Sequence, residues 1–156
     1  MSLYKIPLMD KEEYDQLINE NFMSRIAFNG EYPYIAPFLY VFDQKYLYFL
    51  STKYGKKIQR LKENPKVSVE IEEYEPDLSH YKFVALRGRI VEETDPEKKK
   101  EVRSKFAELI KSRGLSRNVL AALGHDPDDP LACLIEMECS FVWKLVDVKE
   151  IIALKN

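Results

Sequence analysis

The 156-residue chain holds two cysteines, two histidines, one tryptophan and five glycines. Cys133 and Cys139 lie six apart in a segment that reads as a strand. Such residues point the same way but sit about 20 Å apart, too far for a disulfide, so reduced core cysteines are expected. His80 and His125 have no Cys/His neighbours at ligand spacing, and no metal centre is expected. The run from His125 to Pro130 lacks the spacing and closing glutamate of a calcium loop and reads as a polar turn. The glycine and G-K-[ST] pattern of a Walker loop is absent, and no dinucleotide fingerprint is present. No apolar run approaches the roughly 20 residues that span a bilayer. Met1–Leu8 lacks the pattern of a signal peptide, so a cytoplasmic location is expected. Charge of one sign is also missing: 24 basic against 26 acidic residues leave −2. That balance creates no field drawing the chain to nucleic acid or an anionic membrane.

Apolar residues make up 46% and charged residues 32% of the chain, a globular balance. Without repeats or linkers, residues 1–156 read as one domain. Ten tyrosines and eight phenylalanines suit either a β-rich core or a pocket for a planar ring. Asp10 with Glu13 forms a capping box before a helix carrying Tyr14, Leu17 and Ile18. Strands follow at Ser24–Phe28, Tyr34–Phe42, Tyr46–Leu50, Val67–Ile71 and Tyr81–Val91. Asn29-Gly30 marks the first hairpin. Helices are expected at Lys56–Glu63, from Asp95-Pro96 to Gly114, and from Ser116 to Gly124. Leu131–Glu138 and Phe141–Val146 read as final strands, with Ile151–Leu154 as a tail. Glu70, Glu72, Glu73 and Glu75 mark the exposed end of the fourth strand, as charges often do on edge strands. Neither face of Tyr34–Phe42 is polar. Both therefore need cover, one from a barrel interior and the other from a partner subunit or ligand.

Leu50–Lys57, L-S-T-K-Y-G-K-K, is where chemistry concentrates. A strand ends in Ser51 and Thr52, a short loop reaches Gly55, and a helix opens with Lys56 and Lys57. Cations in a first turn oppose the helix dipole by about 0.3–1 kcal/mol each. A bound phosphate would reverse that, held by backbone N–H groups, two ammonium groups and two hydroxyls. A solvated basic patch fits the same spacing.

Three stretches carry a resemblance: Ser24–Phe38, Tyr48–Val69 (which includes S-T-K-Y-G-K-K and N-P-K-V-S-V) and Ala85–Glu92. They resemble the pyridoxamine 5′-phosphate oxidase-like superfamily, in particular its small members related to nitroimidazole-resistance proteins. The resemblance implies a mainly β (α+β) fold, a six-stranded antiparallel split β-barrel with peripheral helices. It also implies a homodimer with flavin mononucleotide (FMN) at the subunit interface. Ser51, Lys56 and Lys57 would contact the phosphate, with Thr52 beside them. Ile35, Ala36 and Pro37 would lie along the ribityl chain and ring. Trp143 would either stack on the ring or pack the barrel.

The chain also departs from its relatives. The pyridoxamine oxidases carry arginine where this chain has Ile35 and glutamine near Phe83, and their C-terminal arginine motif is not recognisable, so vitamin B6 oxidation is not expected. Nitroimidazole-resistance relatives often have a histidine in place of Leu50. Heme-binding relatives need an axial histidine, and only His80 and His125 are present. The resulting expectation is an FMN-dependent oxidoreductase acting on an unknown small molecule. The alternatives are a flavin carrier or sensor without turnover, and a deazaflavin-dependent reductase. A single-stranded nucleic-acid binder using the Lys53–Arg60 patch is argued against by the net charge.

Overall fold

The computed structural model describes residues 2–156. Helix α1 (Lys11–Glu20) starts at the expected capping box: Asp10 accepts from the Glu13 N–H, and the Glu13 carboxylate accepts from the Asp10 N–H. The strands are β1 (Met23–Phe28), β2 (Tyr34–Leu39), β3 (Val41–Phe42), β4 (Leu47–Thr52), β5 (Lys66–Tyr74), β6 (Tyr81–Glu92) and β7 (Ser140–Lys155). They form one antiparallel sheet of seven strands in the order β2-β1-β5-β6-β7-β4-β3.

The seventh strand arises because the apolar run Tyr34–Phe42 breaks at Tyr40, whose N–H donates to the Phe22 carbonyl. β2 lies at one edge of the sheet and β3 at the other, yet only Tyr40 separates them. The sheet must therefore roll up until its edges meet at that residue, which makes a split barrel. Tyr40 is 2% exposed, and its hydroxyl donates to the Ile18 carbonyl at 2.7 Å. Burial pushes its phenol well above the usual range.

Two cores share the barrel wall. Inside lie Ile26, Phe28, Phe38, Phe49, Val69 and Trp143. Outside, Leu50 and Val142 pack with α3 (Pro96–Ser112), α4 (Val119–Ala122) and α5 (Leu131–Glu136) through Val102, Phe106, Leu120 and Leu134. Every residue of β4 is buried, because both its faces serve a core. The remaining helix, α2 (Lys56–Glu63), follows β4.

Three expectations are corrected. Leu131–Glu136 is a helix, not a strand; a short apolar run is ambiguous by periodicity, and here Leu134 is pulled into the outer core. Cys133 therefore lies on α5 and Cys139 ahead of β7, both unpaired. The acidic stretch does occupy the exposed end of β5, but the strand is not an edge: β5 runs between β1 and β6, with Arg25 beside Glu72 and 3.7 Å from Glu70. The tail is part of β7, a single strand of 16 residues. A bulge opposite Gly88 bends it, where a Cβ would come within 2.6 Å of the Val146 carbonyl. Among the described residues no helix is long and apolar enough to cross a membrane.

Replacing Tyr40 by Phe removes one buried hydrogen bond and leaves the Ile18 carbonyl unpaired. Urea unfolding should show a loss of about 1–3 kcal/mol. An unchanged midpoint would show that the corner does not depend on that bond.

Candidate functional site

Side chains alternate across a strand, so the last two residues of β4 face opposite ways. Ser51 is fully buried, and its hydroxyl donates to the Thr52 carbonyl. Thr52 shares the side of Leu50, which packs in the outer core. The chain then turns through Tyr54 to Gly55, whose φ of +110° a β-carbon would strain. Gly55 caps α2 with no side-chain acceptor, which leaves the helix N-terminus open to an outside anion.

Lys57 turns back over this opening. Its Nζ donates to Thr52 Oγ1 at 2.7 Å and to the Tyr54 carbonyl at 3.2 Å. Burial of the ammonium lowers its pKa. A cleft of about 240 Å³ lies beside it, walled by Ala36 and Pro37 of β2, Leu50 and Thr52 of β4, and Ala121 and Ala122 of α4. One end is cationic and hydroxylic, the remainder apolar. That polarity suits a ligand with an anionic group at one end and an apolar body.

Of the residues singled out in the sequence, Ala36, Pro37, Thr52 and Lys57 line this cleft together. The others do not join them. Ile35 is 62% exposed on the outward side of β2. Ser51 points away from Thr52, and Lys56 is exposed on the first residue of α2. Trp143 is 4% exposed inside the barrel, with ring centroids 5.7 Å from Phe38 and 6.3 Å from Phe28. Neither histidine lines the cleft, and among the described residues no cluster of three metal-ligating side chains exists. The α4 wall is absent from the sequence reading, since a short Val-Leu-Ala-Ala helix carries no sign of what it faces. A wider groove of about 800 Å³ lies at the bulge between Ser68, Gly88 and Asp147, where Arg89 is already paired with Asp147.

A family model for pyridoxamine 5′-phosphate oxidase matches residues 10–130. An uncharacterized protein of Rhizobium meliloti (strain 1021) is 32% identical over 88 residues, 56% of this chain and 57% of that protein. The aligned part thus spans a little over half the length of that curated relative. Among solved structures, a FAD-binding protein from Mesorhizobium loti superposes with a TM-score of 0.71 at 20% identity, covering 97% of this chain and 98% of that one. A candidate 5-nitroimidazole antibiotic resistance protein from Bacteroides thetaiotaomicron superposes with a TM-score of 0.63 at 17% identity, covering 97% and 90%. At these identities the likeness establishes the fold.

The lowered pKa of Lys57 has a stability consequence. The folded chain releases this proton below 10.5, the value of the free side chain, so between the two values the unfolded chain holds more protons. Stability therefore rises with pH across that window. Relative to Lys57→Met, the wild-type unfolding free energy should climb as pH approaches 10.5 and be flat well below the window. A flat difference throughout would show that the ammonium is not buried.

Proposed function

Because the chain belongs to the pyridoxamine 5′-phosphate oxidase family, we propose that its cleft holds a flavin nucleotide, FMN in the first instance, and that the protein is a flavin-dependent oxidoreductase acting on a small molecule. The observation that carries this reading is Lys57 hydrogen-bonded to Thr52 over the uncapped N-terminus of α2, with apolar walls leading away from it. The flavin when bound supplies the hydride chemistry. Lys57, Thr52 and the α2 N-terminus bind the phosphate; Ala36 and Pro37 orient the ring; Leu50 and α4 keep water from it. No side chain of the cleft is assigned to proton transfer.

The reading extends to a homodimer. A cleft of about 240 Å³ falls below the roughly 300–1,000 Å³ of complete ligand pockets, as half of a shared site would. Ile35, Met23 and Ile152 on the outward side of the sheet are 62%, 46% and 41% exposed, and among the described residues no helix covers them. A second copy packed on that face would bury them and complete the cleft.

Titrating the apo-protein with FMN, followed by visible absorbance, tests the cofactor. Lys57→Glu should weaken binding about 100-fold, the weight of one charge-assisted hydrogen bond (about 1.5–3 kcal/mol), with the circular dichroism spectrum unchanged. Full flavin retention by that variant would refute the phosphate assignment. Bound flavin that neither NADH nor NADPH reduces would favour a carrier or sensor instead.

Ile35→Asp tests the interface in sedimentation equilibrium. It should yield a monomer that has also lost flavin. A variant still dimeric would place the subunit contact elsewhere.

A further inference from the structure

A second group of cations converges beside the cleft, on the far side of Thr52. Ser140, the first residue of β7, pairs directly with Thr52 of β4. Side chains of directly opposed residues share a face, with Cβ atoms about 4.5–5.5 Å apart. The Ser140 hydroxyl thus neighbours the threonine that Lys57 holds. It is buried and has no hydrogen-bond partner.

Arg103 of α3 reaches the same point. Its side chain is 4% exposed, and Nη2 donates to the Ser140 carbonyl at 2.7 Å while Nε donates to nothing. Buried polar groups are rarely left without partners, and here two stand together.

One carboxylate faces them. Glu138, in the loop between α5 and β7, has Oε1 2.6 Å from Lys99 Nζ and 3.6 Å from Arg103 Nη1. Lys53, in the turn after β4, lies close enough to add to the field on it, with its ammonium 5.5 Å from the Phe141 ring. Lys99 chiefly, with Arg103 and Lys53, holds the Glu138 carboxyl below the usual range. Two cations of α3 therefore contact one anion, a third adds to the field on it, and that anion neutralises only one of the three. That anion sits on a side chain still 60% exposed, free to swing into solvent.

We infer that Lys53, Lys99, Arg103 and Ser140 form a second anion site contiguous with Thr52 and Lys57, in which the Glu138 carboxylate stands where the second phosphoryl group of a flavin dinucleotide binds. The inference rests on the flavin reading of the cleft. A single phosphate engages Lys57, Thr52 and the α2 N-terminus. A diphosphate has one more phosphoryl group, and the neighbouring cations are placed to receive it once Glu138 turns out. Glu138 acts as an exchangeable stopper that biases the chain toward the mononucleotide.

Affinities of the full-length apo-protein for FMN, for FAD and for ADP, which carries phosphates but no flavin, test this. Glu138→Ala should tighten FAD and ADP about tenfold and leave FMN within about twofold, since one repelling charge at a charge-assisted contact is removed. Lys99→Ala should weaken FAD and ADP by a similar factor and again spare FMN. Glu138 is exposed and Lys99 half-buried, and thermal melting verifies that the variants fold. FMN and FAD changing in parallel, or FAD and ADP not responding, would overturn the second site while leaving the flavin reading intact. ADP responding as described while neither flavin binds would keep the anion site and overturn the flavin reading.

Discussion

Everything in this fold hangs on a corner one residue wide. β2 and β3 belong to opposite edges of a seven-stranded sheet and are joined through Tyr40 alone. A flat sheet would hold those edges several strand spacings of about 4.8 Å apart, so the link is possible only if the sheet closes on itself. Around the corner the chain is pinned by the Tyr40 N–H to Phe22, the Tyr40 hydroxyl to Ile18, and the Ser24 hydroxyl to Phe38. The first two tie the corner to α1 and the segment after it, which is why the N-terminal helix belongs to the barrel rather than to its periphery.

Closure has a direct consequence for the site. Bringing the two edges together sets β2 alongside the end of β4, and that places Ala36 and Pro37 opposite Thr52 and Lys57. These residues are distant in the chain and share no ladder, since β2 pairs with β1 and β4 with β3 and β7. The cleft is therefore a property of the closed barrel. The same alternation that sends Phe49 inward sends Leu50 and Thr52 outward, where α3 and α4 lie. One strand thus supplies the barrel core, the helix-packing face and the polar end of the cleft, and it has no residue left for solvent.

The sequence was a good guide wherever the physics is local. The capping box at Asp10, the hairpin that follows Asn29-Gly30, the short helix after Gly55 and the β-rich pattern all depend on residues within a few positions of one another, and all are present. Local pattern failed where a segment's state is set by what it meets. Leu131–Glu136 could be strand or helix until the outer core claimed Leu134. The glutamates of β5 mark its exposed end as expected, but their charge also suggested an edge, because Arg25, the partner of Glu70 and Glu72, is on another strand. Of the candidate site, Thr52 and Lys57 were legible from spacing, and Ala36 and Pro37 through resemblance. Trp143, for which ring contact and barrel packing were both open, packs inside the barrel; a lone tryptophan in a strand shows nothing of which face it takes.

By itself, the sequence determined an antiparallel β architecture and a strand–loop–helix turn at Ser51–Lys57 that opens with two lysines, because each follows from short-range spacing and composition. Only the tertiary structure decided that the sheet closes at Tyr40, that Ser51 turns from the cleft while Thr52 faces it, and that α4 forms the opposing wall. Those outcomes depend on register and on contacts between remote segments, and a one-residue shift in register would have exchanged every inward side chain for an outward one.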